Sequence, residues 1–182
     1  AAANTAVGKS ALAETTTGTR NVAVGQNALT TQTTSNNNTA VGYQAGEATT
    51  TSSQVTAIGC YALTANTTGS NNDALGYAAL YSNTIGQYNV GIGTGALENN
   101  TTASSNTAVG YTALQANTTG TVNTAVGAYA LDANTTASNN TAVGYGALGA
   151  NTTSSYNTAV GKGALQANTS GGANTVVGEN SA

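Results

Sequence analysis

The chain repeats itself every 17 residues, and no insertion or deletion breaks the interval. Asn-Thr-Ala-Val-Gly or a close variant starts at positions 4, 21, 38, 55, 72, 89, 106, 123, 140, 157 and 174, which gives ten complete units (4 to 173) and a partial eleventh. The consensus is N-T-A-V-G-Y-x-A-L-x-A-N-T-T-x-x-x. Repetition at a fixed short period marks stacked architectures. Its strict length is a physical constraint, because a one-residue slip turns every later side chain of a strand to the opposite face. Residues 1–182 therefore read as one repeat domain in which each unit is laid on its neighbour in register.

The columns of the repeat differ in how far they vary. Position 5 is glycine in every unit: Gly8, Gly25, Gly42, Gly59, Gly76, Gly93, Gly110, Gly127, Gly144, Gly161 and Gly178. Position 4 is always aliphatic, position 8 is alanine throughout the complete units, and position 9 is leucine except at Gly46. Position 1 is asparagine except at Val55, and position 13 is always threonine. Positions 6, 7, 10, 16 and 17 vary freely. Fixed columns are expected to face inward or hold turns, and variable ones to face water.

A helical repeat needs 33 residues or more, which leaves no room for a helix pair here. Thr-Ala-Val-Gly-Tyr alternates with period 2, so Thr, Val and Tyr share one face and Ala and Gly the other. Thr-Thr in the second half reads as another short strand, with Asn-x-x and the small residues as turns. The expectation is an all-β parallel β-solenoid, or β-roll, of about ten 17-residue coils. At the ~4.8 Å strand spacing it forms a rod roughly 48 Å long. Val at position 4 and Leu at position 9 are read as a thin core, and a homotrimer could bury a second face rich in Ala and Gly. The position-1 asparagines, Asn106, Asn123, Asn140 and Asn157 among them, should stack as an amide ladder.

Composition narrows the function. There is no His, a single Cys, and charge is limited to three Lys or Arg and six Asp or Glu. No basic patch is available for phosphate contacts, which argues against nucleic acid as a partner. No apolar run approaches the ~20 residues of a membrane span, so membrane insertion is not expected. General acid–base pairs are hard to build without His and with scattered carboxylates. Glu47, Glu98 and Asp132 share position 10, yet the closest two, Glu98 and Asp132, stand two coils or ~10 Å apart. Zinc has no ligand set, and the chain is read as non-catalytic and without a cofactor.

Several surface features remain. Tyr43, Tyr77, Tyr111 and Tyr145 recur at position 6 in alternate units, either covering the strand face or forming an aromatic strip for a glycan or receptor. Cys60 lies in the same column; it reads as a surface substitution, with an interchain disulfide as the other possibility. Asn66, Asn100, Asn117, Asn134, Asn151 and Asn168 stand in Asn-x-Thr/Ser triplets and read as turn and ladder residues. The Thr column at position 13, including Thr118, Thr135 and Thr152, raises ice binding as an alternative function. Adjacent strand residues point to opposite faces, however, so Thr-Thr supplies one outward column only.

NTAVGYTALQANTTG (106 to 120) and NTAVGYGALGANTT (140 to 153) resemble the head repeats of trimeric autotransporter adhesins of the YadA type. They resemble still more closely the repeat arrays of phage-type tail-fibre proteins. The resemblance spans the chain. It implies a left-handed, usually trimeric β-roll acting in attachment, extracellular at a cell surface or on a virion, and a segment of a longer fibre. The partners it implies are copies of the chain itself, as a homotrimer or end-to-end filament, and a host-surface glycan or receptor.

Overall fold

The computed structural model describes residues 3–181. It is a parallel β-solenoid in which each unit is one coil and each coil contributes one three-residue strand, from β1 (Thr5–Val7) to β11 (Thr175–Val177). The strands form one sheet in strict sequence order. Pairing is in register residue for residue, as in Thr107↔Thr124, Ala108↔Ala125 and Val109↔Val126. No helix occurs among the described residues.

Only repeat positions 2–4 are strand. The expected second strand at Thr-Thr is a bend instead. The backbone there still pairs between coils, with the Thr118 N–H donating to the Thr135 carbonyl at 2.9 Å. Similar single bonds tie the rest of the coil to its neighbours. In the coil 106–122, Thr107, Leu114 and Ala116 donate to the next coil, and Gly110, Thr112 and Val122 donate to the previous one. Each turn of chain is thus stitched on both sides without extended strands.

Seventeen residues close a ring by changing direction where the backbone takes positive φ. Positions 7, 9 and 17 lie in the left-handed region, as at Thr112 (φ 51), Leu114 (φ 52) and Val122 (φ 58). Gly110 at position 5 has φ 141. Its glycine is required twice over: a Cβ there would also stand 2.6 Å from the backbone of Gly127 in the next coil. Leucine in the left-handed region is unusual. The conformation costs about 1–2 kcal/mol, which full burial of the side chain, worth ~1.5–3 kcal/mol, offsets.

The interior corrects the expected core. Ala at positions 3 and 8 and Leu at position 9 are fully buried, as at Ala108, Ala113 and Leu114. The aliphatic side chains of position 4 point outward; Val126 and Val143 are each 36% exposed and Leu75 46%. Space decides this. At Gly91, which stands in the position-3 column, a Cβ would already lie 3.2 Å from the Leu80 side chain. Beside the leucine of a complete coil the ring has room for two methyl groups and not for a valine; the one valine of this column, Val176, lies in the partial last unit. The Ala-rich face therefore lies inside a single chain and is not available to a partner copy.

The other half of the interior is polar and hydrogen-bonded. Asn106 donates its side-chain amide to the Gly120 carbonyl at 2.8 Å, and its Oδ1 accepts the Asn123 N–H at 2.9 Å. Asn117, at position 12, donates to the same Gly120 carbonyl and to Asn100 Oδ1, both at 3.0 Å. Two buried Asn ladders thus converge on the carbonyl of position 15. The pattern recurs at Ala103, which accepts from Asn89 and Asn100, and at Ala137, which accepts from Asn123 and Asn134. Burying an amide without partners would cost several kcal/mol, and the columns satisfy one another with one exception among the described residues, the buried Asn140 Nδ2, which has no partner.

Val55 interrupts the first ladder. Its N–H still donates to Asn38 Oδ1 at 3.0 Å, but its side chain offers no oxygen to Asn72 and no amide to Gly69. Val55→Asn is expected to stabilise the rod by about 1 kcal/mol, read as a higher guanidinium midpoint. Gly110→Ala, with its strained φ and backbone overlap, should cost roughly 3–5 kcal/mol. Gly120→Ala should cost less: its Cβ would start 2.2 Å from the Ala137 carbonyl oxygen, so the coils must shift, but Gly120 lacks the positive φ and Ala103 and Ala137 already occupy its column. Comparing the unfolding midpoints of the two glycine variants checks the assignment.

Candidate functional site

The surface with the most chemistry is the edge formed by repeat positions 6, 7 and 10. Gly at position 5 turns the chain out of the strand, and the left-handed residue at position 7 turns it again. Side chains at 6 and 7 are thereby set side by side on the outside of the rod. Tyr43, Tyr77, Tyr111 and Tyr145, at position 6, are 40–56% exposed. They do not stack on one another, since they stand in alternate coils.

Two further tyrosines, at position 7, fill the gaps. Tyr61 lies edge-on between Tyr43 and Tyr77, with ring centroids 5.3 and 5.9 Å away, and also meets Tyr81 at 6.2 Å. Tyr129 lies in the same way between Tyr111 and Tyr145, at 5.4 and 5.5 Å. Edge-to-face pairs of this kind contribute about 0.5–1.5 kcal/mol beyond their buried area. The triad Tyr43–Tyr61–Tyr77 therefore recurs as Tyr111–Tyr129–Tyr145, every member 68 residues, or four coils, further on. Taken column by column, the sequence marks position 6 alone. The 68-residue offset is the sequence signal for the complete group, and it is visible only when positions 6 and 7 are read together.

Each triad borders a hollow. The first, of about 370 Å³, is lined by Gln44, Tyr61, Tyr77, Ala78, Tyr81 and Glu98. The second, of about 360 Å³, is lined by Tyr129, Asp132, Tyr145, Gly149 and Gln166 among others. Of the position-10 carboxylates, Glu98 and Asp132 are thus set beside tyrosines, and Glu47 lines neither hollow. Glu98 accepts from Gln115 Nε2 at 2.6 Å. Glu47 accepts from Asn27 Nδ2 at 3.1 Å and from Gln44 Nε2. Burial pushes the Asp132 carboxyl above its ordinary value, opposed by backbone N–H groups at Ala133 and at Asp132 itself. Burial and then the neighbouring Tyr43 raise the Tyr61 phenol. No group of three metal-ligating side chains occurs among the described residues.

The remaining sequence candidates are elsewhere. Thr118 and Thr135 are half-buried, and their hydroxyls donate to the carbonyls of Thr135 and Thr152 in the following coil, at 3.1 and 3.2 Å. The outward column is position 14, where Thr119 and Thr136 are exposed. The position-13 threonines are therefore ladder members more than surface contacts; Thr152 is exposed. Asn140 and Asn157 extend the position-1 ladder, their N–H groups donating to Asn123 Oδ1 and Asn140 Oδ1 at 3.0 and 2.9 Å. Asn66, Asn100, Asn117, Asn134 and Asn151 are fully buried, and Asn168, half-buried, continues the column with a bond to Asn151 Oδ1 at 3.3 Å. Cys60 is a half-buried free thiol at the tyrosine edge.

Compared with protein-family models, with curated proteins and with solved structures, the chain matches none of them.

Proposed function

We propose that the chain is a non-catalytic structural and adhesive fibre module, a stiff rod that displays side chains at fixed intervals outside the cell or on a virion. One observation carries this reading: a single sheet runs in unbroken register through every described coil, so each surface column continues along the whole length. Its interior is filled by Ala, Leu and Asn that bond to themselves, and the chemistry lies on the outside. The resemblance of the repeat motif to adhesin heads and tail-fibre arrays supports the same conclusion.

In this reading copies of the rod associate laterally, in threes, through position 4. That column is an aliphatic rank partly open to water: along the rod Val41, Ile92, Val126 and Val143 are 36–38% exposed and Leu75 46%, while Val24, Ile58, Val109 and Val160 are half-buried. Continuous exposed apolar surface of this kind marks an interaction face. The expected solution mass is three times the 17.6 kDa of the chain. Replacing Val109 and Val126 by lysine should release single rods with an unchanged circular dichroism spectrum. Sedimentation equilibrium checks both, and a wild-type mass of one chain would reject lateral association. Electron microscopy would separate short bundled rods from long end-to-end filaments.

A second reading has its own observation. The sheet turns two adjacent ranks outward, Thr at position 2 and Val at position 4, whereas position 13 spends its hydroxyls on neighbouring coils. A flat grid of hydroxyl and methyl groups suits an ice surface. Thermal hysteresis of the purified rod tests it: a gap that disappears when Thr124 and Thr141 are replaced by lysine would favour ice binding over the fibre reading. Absence of a gap in the wild type would remove it.

A further inference from the structure

We infer that the two tyrosine-rimmed hollows are a pair of binding sites for one neutral glycan, an extended chain of pyranose rings with equatorial hydroxyls lying along the rod. This rests on the adhesive reading above and names the ligand class of that surface.

The two hollows share one chemical set. Each has two or more tyrosine rings, one carboxylate and one glutamine amide: Tyr61, Tyr77, Glu98 and Gln44 in the first, and Tyr129, Tyr145, Asp132 and Gln166 in the second. The carboxylates come from different coils, Glu98 from one coil after Tyr77 and Asp132 from the coil of Tyr129. The same chemical set is therefore assembled twice by different residues of position 10. A pyranose with equatorial hydroxyls offers an apolar face of axial C–H groups and a polar rim. A tyrosine ring supplies the matching apolar platform with a hydroxyl at its tip. The amide gives both a donor and an acceptor, and the carboxylate accepts at two oxygens, which suits the paired hydroxyls of the rim.

Other ligand chemistries fit less well. A quaternary ammonium group is held by several aromatic faces around one point, but the second hollow has only two rings. An anionic glycan would meet a carboxylate in either hollow and a chain of net charge −3.

Placement favours a polymer. The triads occupy identical columns four coils apart, so they face the same way and are separated by ~19 Å along the axis. An extended oligosaccharide lying parallel to the rod reaches both. Two weak sites joined by one ligand gain affinity through effective concentration, by factors of about 10²–10⁴.

The test is calorimetry on the full chain with cellohexaose, N-acetylchitohexaose and mannohexaose, with choline chloride as the cationic probe. Tyr61→Ala and Tyr129→Ala remove one ring from each hollow. Alanine already stands at position 7 as Ala78, so both variants should fold, and circular dichroism verifies this. At least one hexasaccharide should bind. Each single variant should weaken that binding at least 10-fold, and the double variant should abolish it. The inference is overturned if none of the three sugars binds, if choline binds in their place, or if the folded double variant keeps wild-type affinity. The sedimentation mass of the same samples reads the fibre proposal independently: a rod that associates but binds no sugar sinks this inference alone.

Discussion

The carbonyl of repeat position 15 is where the fold is held together. It lies inside the ring, away from water, and receives two side-chain amides, one from position 1 and one from position 12. Each of those asparagines also bonds to the coil before or after it. The arrangement solves the difficulty of a narrow ring, in which too few large side chains fit to drive folding by burial alone. Amide groups replace part of the apolar core, and they are satisfied only if every coil has the same length and register. A buried polar network of this kind specifies one alignment, because any slip leaves several groups unpaired at once. The absence of insertions follows from that penalty.

The same network explains how far the sequence could be read. The fixed length, the invariant glycine and the period-2 stretch were enough for a parallel solenoid of 17-residue coils. The position-1 asparagines also announced their ladder, since an amide column has few other uses. What could not be read was which face of Thr-Ala-Val lies inside. Alternation separates two faces without ranking them, and the larger residue was the natural choice for the core. Leu80 and its counterparts overturn that choice by filling the centre, so that position 3 has space only for a methyl group. Threonine at position 13 looks like strand by preference, yet the ring must bend there to carry position 15 inward. The left-handed leucines were equally invisible, because nothing in the residue type signals that conformation.

The exterior follows rules of its own. Once the interior is self-sufficient, the outward columns are free of any folding duty and vary. Tyrosine has been placed twice at the same offset in an otherwise variable region, with a carboxylate and an amide nearby each time. By contrast the aliphatic rank of position 4 is nearly uniform although it faces water. That uniformity at a half-exposed position is the observation on which the proposed lateral association rests.

One coil occupies only ~4.8 Å of the axis, yet it contains 17 residues that would span roughly 50–60 Å if drawn out straight. A coil detached under tension therefore lengthens the rod about tenfold over its own share. The neighbouring coils lose only the bonds on one side and stay closed. The exact repeat thus folds the same contour length into every coil.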